Sequence, residues 1–188
     1  MTVRDNTGAP CSDPCMRWSF EILPGLPGTG PYPEQFTTSG ATHREGFVVR
    51  FTADQGESWV GNFQRGSGGR YLSAVFEHPT MARFFVISGG QAYVIDPSMR
   101  RCVETFGPDV REGVRNERRL VLATDTEAIV VEPLGTWVSE RLAWDGIADL
   151  ELEGDRLRGL GMDAINDEWR PIEVDLQTHA VLASAYEL

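Results

Sequence analysis

The segment RFFVISGGQAYVIDP, residues 83–97, decides the fold, and a matching segment, RLVLATDTEAIVVEP, follows at residues 119–133. In both segments an apolar run meets a short break and a second apolar run, with arginine at the start and an acid followed by proline at the end. Two apolar runs joined by a two-residue turn are typical of a β-hairpin. Folding the first segment about its Gly-Gly pair places Arg83 opposite Asp96. We therefore predict a hairpin that ends in a cross-strand ion pair.

The second segment predicts the same structure, because folding it about its centre places Arg119 opposite Glu132. A third short stretch of strand-like composition follows each hairpin, at residues 101–106 and 137–142. Three strands in about 36 residues are typical of a meander unit or of a small propeller blade. The sequence therefore predicts a repeated unit of three short strands.

Residues 83–142 resemble bacterial β-propeller repeats, in which a phrase such as VISGGQAYVIDP is common. The longer stretch from Ser58, which begins SWVGNF, to Tyr186 also resembles an uncharacterised bacterial family, and that resemblance implies no activity. We predict an all-β fold, an antiparallel meander of three-stranded units in a small or incomplete β-propeller-like arrangement. A β-sandwich or an open barrel is the alternative, because alternating hairpins build those folds as well.

Composition divides the chain into a Pro/Gly-rich N-terminal arm, residues 1–44, and an all-β domain, residues 45–188. The prolines and glycines of residues 24–33 exclude a helix or an inner strand there. Strand signals recur at short intervals from residue 45 onward and predict about ten to thirteen strands in all. A short helical turn is expected at residues 110–120.

The composition also excludes several kinds of chemistry. The 17 basic residues counted as Lys plus Arg are all arginine, which excludes Schiff-base catalysis, covalent pyridoxal phosphate and a P-loop lysine. Neither the three histidines nor the three cysteines form a metal-binding or nucleophile motif, although Cys11 and Cys15 are close enough in sequence to pair. We predict no cofactor and no metal. No apolar run approaches the roughly 20 residues that cross a bilayer, so we expect a cytoplasmic protein that does not bind membranes.

Negative charge is concentrated in the last third of the chain. Residues 1–120 hold 13 Arg and 13 acidic residues, whereas residues 121–188 hold 4 Arg and 15 acidic residues, so this segment carries the whole net charge of -11. Such a field repels nucleic acid and attracts a basic protein or peptide. The alternative is that the charge only keeps the protein soluble.

Alternating carboxylates in this last third suggest an acidic patch. Glu173 and Asp175 alternate with apolar residues on one predicted strand, and no arginine is spaced to meet them. The other candidates lie on a neighbouring strand, in a polar loop and in a Trp-Asp-Gly turn. Each of these candidates can also be explained without a binding function. It can belong to a local ion pair, serve as a turn residue or cover a sheet edge. The candidate binding residues are Trp144, Asp145, Asp149, Asp163, Glu173 and Asp175.

Three functions are compatible with these features. The first is a non-catalytic binding protein, of inhibitor or immunity type, whose acidic C-terminal third docks a basic protein partner. This function requires that the carboxylates are neither scattered nor paired with the arginines of residues 100–119. The second is a hydrolase or lyase that uses two converging carboxylates on a small or sugar-like substrate. The third is a structural scaffold. No residue is assigned a catalytic role, and the oligomeric state is left open.

Overall fold

The computed structural model describes residues 17–38, 40, 45–66, 71–79 and 81–186. Within these residues the chain forms sixteen β-strands and no helix, so the predicted all-β class is confirmed. Cys11 and Cys15, whose pairing the sequence left open, lie outside the described residues.

The strands follow one another along the whole described chain. They are β1 (Trp18–Leu23), β2 (Glu34–Phe36), β3 (Phe47–Ala53), β4 (Ser58–Phe63), β5 (Ala74–Glu77), β6 (Phe84–Ser88), β7 (Gln91–Asp96), β8 (Arg101–Phe106), β9 (Glu112–Arg115), β10 (Leu120–Ala123), β11 (Ala128–Glu132), β12 (Gly135–Val138), β13 (Ile147–Glu153), β14 (Arg156–Asp163), β15 (Glu168–Asp175) and β16 (Ala180–Ala183).

These strands form four sheets of four strands each. The first sheet has the order β1-β3-β4-β2, and the other three are meanders in chain order: β5 to β8, β9 to β12 and β13 to β16. All neighbouring strands are antiparallel except β2, which runs parallel to β4. The described part of the predicted N-terminal arm thus supplies two strands, β1 and β2, to the first sheet.

Each repeated unit contains one strand more than the three that the sequence predicted. In the second and third sheets the extra strands are β5 and β9, which precede the two quoted hairpins. The helical turn predicted at residues 110–120 is wrong, because Glu112–Arg115 pairs with β10 as strand β9. Its four residues are too few to show a strand period in the sequence.

The two quoted segments are hairpins in the predicted register. In the first, Val86 lies opposite Tyr93. In the second, Arg119 and Glu132 form the predicted ion pair, with Nε 2.5 Å from Oε1. The ion pair predicted at the end of the first hairpin is absent among the described residues. Asp96 instead accepts hydrogen bonds from the backbone N–H groups and hydroxyl of the turn that follows it, in residues 98–99.

Three apolar cores join the four sheets in a row. Alternate residues of β6 and β7 point to opposite faces, so the second sheet packs on the first through one set, including Phe84, and on the third through the other, including Phe85. The third core joins the third and fourth sheets around residues such as Leu157. Burial on both faces explains why the two quoted hairpins are apolar at nearly every position.

None of these three cores, as far as the described residues go, combines the first sheet with the fourth. The arrangement is therefore an incomplete propeller-like row, and the two-sheet sandwich alternative is wrong, because four separate sheets stack with three cores between them. The fourth sheet consequently turns one face away from the row. On that face lie the charged pairs of β14 and β15 and the half-exposed side chain of Trp169.

Candidate acidic binding site

The outer face of the fourth sheet pairs the carboxylates of β15 with the arginines of β14. Arg156 lies opposite Asp175 and Arg158 opposite Glu173 in the strand register. Arg156 reaches Asp175 at 3.2 Å and Glu173 at 3.5 Å. The prediction that no arginine meets Glu173 and Asp175 is therefore wrong. The prediction considered only the pairing of β13 with β14. It overlooked the pairing of β14 with β15, which brings the same arginines beside β15.

Asp163 has a structural role at the far end of β14. Its side chain is 4% exposed, and it lies 3.1 Å from Arg170. Its carboxylate also accepts hydrogen bonds from the backbone N–H of Ile165 and from the side-chain amide of Asn166. The hydrogen bond from Asn166, the backbone donors and the Arg170 charge together lower the pKa of Asp163, whereas burial opposes the shift. Asp163 organises the turn between β14 and β15.

Replacing Asp163 with asparagine is expected to destabilise the protein at neutral pH. The folded-state pKa is lowered, so the stabilisation is complete above the unfolded pKa, about 4, and is lost as the pH falls through the folded value. The difference in free energy of unfolding between wild type and Asp163→Asn should therefore shrink below about pH 4. Urea unfolding at several pH values measures it. Asp167→Asn, at an exposed position of the same turn, is the control, and an equal pH dependence in both variants would contradict this role.

The predicted patch is not one surface. Asp163 lies opposite Glu168 at one end of the β14–β15 hairpin, and Arg156 lies opposite Asp175 at the other end. The two ends are seven positions apart along β14, which corresponds to roughly 23 Å. The structure therefore separates Glu173 and Asp175 from Asp163.

Asp149 occupies an irregularity in β13. The register of β13 against β14 shifts between Ala148 and Glu151, and Asp149 has a positive φ of 54°. The Glu112 carboxylate of β9 accepts hydrogen bonds from the backbone N–H groups of Asp149 and Leu150, at 3.1 and 2.9 Å. This contact ties the third sheet to the fourth. The Asp149 side chain itself is exposed.

Trp144 and Asp145 precede β13 in the connection from the third sheet. Trp144 packs on Tyr186, with ring centroids 4.6 Å apart, and the guanidinium of Arg141 lies 5.4 Å from the Trp144 ring centroid. The expectation that this indole covers a structural edge agrees with these contacts. Asp145 has a side chain that is 73% exposed and makes one long contact, 3.7 Å, with Arg111.

Sequence reasoning missed a cluster around Arg111. Its guanidinium pairs with Asp125 and lies 5.4 Å from the ring centroid of Tyr71. The Tyr71 hydroxyl donates a hydrogen bond to Asp125 at 3.1 Å, and this bond is the main cause that raises the pKa of Tyr71. The three residues come from connections next to the second and third sheets. No local spacing indicates the cluster, because the residues are up to 54 positions apart.

The predicted binding function requires that the carboxylates of the last third are not paired with the arginines of residues 100–119. Several of them are paired in this way. Arg111 pairs with Asp125 and contacts Asp145, while Arg119 pairs with Glu132 and with Asp155. Both arginines belong to residues 100–119. The acidic third as a whole is therefore not a free negative surface.

A smaller acidic surface remains at the end of the fourth sheet where the β14–β15 turn lies. We call it the acidic end and define it as Asp145, Asp167, Glu168, Ile165 and Trp169. Asp167 and Glu168 are exposed and form no ion pair within the part of the chain that the structure describes. Ile165 is 70% exposed and Trp169 is 49% exposed. The acidic end therefore exposes apolar side chains and carboxylates side by side.

Backbone pairing holds the parts of the acidic end together. Trp144 N–H donates to the carbonyl of Met162, and Met162 N–H donates to the carbonyl of Gly146, both at 2.9 Å. Met162 in turn lies opposite Trp169. Gly146 has a φ of +130°, and a Cβ there would lie 3.3 Å from the Trp169 ring, so glycine lets the indole lie over the backbone beside Asp145.

The described residues contain neither a membrane-spanning helix nor a metal-binding cluster. No helix there is long and apolar enough to span a bilayer. No group of three or more His, Cys, Asp or Glu side chains is placed to hold a metal ion in that part of the chain.

Comparison with known proteins supplies no family. No protein-family model matches the chain, and no curated protein matches it. A solved structure described as the crystal structure of the N-terminal domain of Nup159 is similar, with a TM-score of 0.43 and 14% sequence identity. The match covers 62% of this chain and 35% of that chain, so this chain spans about a third of the length of its match. A similarity of this size supports no inference about function. The fold and the site define an all-β, propeller-like protein with an acidic end.

Proposed function

We propose that this protein is a non-catalytic binding protein that docks a basic protein or peptide at the acidic end. The observation that carries the proposal is the group of carboxylates at this end, Asp145, Asp167 and Glu168, beside the exposed ring of Trp169. Several other carboxylates of the last third, such as Glu132 and Asp175, are paired with arginines, whereas the acidic end combines its carboxylates with exposed apolar side chains. An inhibitor or immunity-type role in the cytoplasm remains a prediction.

Physical complementarity favours a basic segment with apolar residues. A guanidinium or ammonium group over the face of Trp169 gains a cation–π contact, and neighbouring carboxylates add charge attraction. Ile165, at 70% exposure, offers an apolar contact beside them. The partner's cations would meet Asp145 directly, because its side chain is 73% exposed and its contact with Arg111 is long.

The test uses a defined peptide, acetyl-(Arg-Leu)₃-amide, titrated into the protein by calorimetry. We expect binding that weakens as salt is raised, because surface charge pairs are screened. The variant Asp145→Asn/Asp167→Asn/Glu168→Gln should bind about tenfold more weakly or worse, at roughly 0.5–1 kcal/mol for each lost pair. Trp169→Ala should also weaken binding, and the indole N–H signal of Trp169 should shift on titration.

A matched control removes the same number of charges elsewhere. Glu34, Glu104 and Glu117 are exposed and form no ion pair with the described residues, so Glu34→Gln/Glu104→Gln/Glu117→Gln has the same net charge as the triple variant. Equal weakening in both triple variants would show that only overall charge matters and would contradict the proposed site. Equal affinity for the acidic counterpart, acetyl-(Glu-Leu)₃-amide, would contradict it as well.

A further inference from the structure

A pocket lies between the first and second sheets. Its volume is about 370 Å³, within the range of small-molecule sites. The strand β1 supplies Trp18, the start of β6 supplies Phe84, and the connection between β5 and β6 supplies most of the rest. The charged and aromatic side chains of its lining are Arg17, Trp18, Glu77, His78, Arg83 and Phe84.

The pocket is positively charged in an acidic protein. Neither Arg17 nor Arg83 forms an ion pair with any described residue, although the protein has 28 acidic residues. Arg83 is left without its expected partner because Asp96 is satisfied by its own turn. The acid that lines the pocket, Glu77, is engaged by Arg115 at 3.2 Å. Neither arginine is thus held in a direct ion pair, although the charge of Arg83 lies close enough to Asp96 to lower the pKa of that carboxyl.

The neutral lining of the pocket is aromatic, and one of its residues, Trp18, has a buried N–H without an acceptor. Phe84 is 3% exposed, and its ring meets Phe20 edge to face at 5.6 Å. The Nε1–H of Trp18 is buried and has no hydrogen-bond partner. A buried donor left unpaired destabilises a protein by about 1–3 kcal/mol.

The histidine adds no positive charge at neutral pH. Its Nδ1 accepts a hydrogen bond from the backbone N–H of Met81 at 3.1 Å. Burial, together with the nearby charge of Arg83, lowers the pKa of His78. The charge of the pocket is thus that of the two arginines.

We propose that this pocket binds an aromatic carboxylate, with the carboxylate at Arg17 and Arg83 and the ring against Trp18 and Phe84. Arginine pairs well with planar carboxylates, and aromatic walls favour a flat apolar body. The proposal is independent of the acidic end, which lies at the end of the fourth sheet. Its chemistry is shared by a free small molecule and by the C-terminal carboxylate of a peptide ending in an aromatic residue.

The probe is phenylacetate, with phenylacetamide as the neutral molecule of the same shape. We expect phenylacetate to bind at least tenfold more tightly in calorimetric titrations and to shift the indole N–H signal of Trp18, which Trp18→Phe assigns by its disappearance. The variant Arg17→Gln/Arg83→Gln should weaken phenylacetate binding at least tenfold.

A second pair of variants separates the local effect from the loss of charge. Arg101→Gln/Arg118→Gln removes two exposed arginines elsewhere and should leave phenylacetate binding unchanged, with both double variants checked for folding by thermal unfolding. Tighter binding of N-acetyl-Gly-Phe than of phenylacetate, lost in the C-terminal amide, would identify a peptide carboxylate as the source. Equal affinity for acid and amide, or unchanged affinity in Arg17→Gln/Arg83→Gln, would overturn the proposal.

Discussion

Replacing Gly90 with alanine is expected to destabilise the protein by about 3 kcal/mol or more. Gly90 has a φ of +87°, where a side chain costs about 1–2 kcal/mol. A Cβ there would also lie 2.4 Å from the backbone carbonyl oxygen of Pro108 and 2.8 Å from Tyr71 Cβ. Relieving these contacts requires backbone movement, which adds about 1–3 kcal/mol. Chemical denaturation measures the change.

The damage should reach beyond the turn. Gly90 N–H donates to the carbonyl of Leu72, and Val110 N–H donates to the carbonyl of Gly90, so the glycine joins the second sheet to the connections on both sides. Gly154→Ala is the matched control, because Gly154 has a φ of +59° and nothing lies within 4 Å of a Cβ there. It should cost about 1–2 kcal/mol. Equal losses in the two variants would show that the close approach at Gly90 is absent.

Phe51→Ala should lower the free energy of unfolding by about 3–5 kcal/mol. Phe51 is fully buried in the core between the first and second sheets. Its ring stacks on Trp59 with centroids 4.6 Å apart and meets Phe84 at 5.3 Å. The lost side chain leaves a cavity among aromatic rings that cannot close without moving both sheets. Typical domains are stable by about 5–15 kcal/mol, so this is a large share.

Phe20→Ala provides the control in the same core. Phe20 is partly exposed and contacts that core from its border, so its removal should cost clearly less than that of Phe51. Urea unfolding of both variants, followed by circular dichroism, gives the comparison. A loss at Phe51 no larger than that at Phe20 would contradict the packing of the first sheet on the second.

The fold could be predicted from the sequence where several local signals indicated the same structure. The quoted hairpins combine apolar runs, central turns and terminal charges, and their register is as expected, with Val86 opposite Tyr93 and Arg119 paired with Glu132. Strand β9 was missed because Glu112–Arg115 is too short for a visible period. Its pairing is decided by neighbours in the sheet.

The site was harder to predict because its charges pair between elements. Glu153 lies opposite Arg156 across the β13–β14 hairpin, a pair that counting residues across one turn can find. Such counting does not find Asp175 opposite the same arginine, since that pair depends on which strand lies next in the sheet. Likewise, the cluster of Tyr71, Arg111 and Asp125 depends on how separate sheets stack. Local periodicity carries no information about that stacking.

The register of β14 against β15 is the claim on which the acidic end depends. A slip of one residue would turn every side chain of β15 to the other face, separating Trp169 from Gly146 and the arginines of β14 from Glu173. Nuclear Overhauser contacts between backbone protons test it most directly. The account predicts cross-strand contacts that pair Met162 with Trp169 and Arg158 with Glu173. Contacts that instead pair Met162 with Arg170, or none across this hairpin, would contradict it.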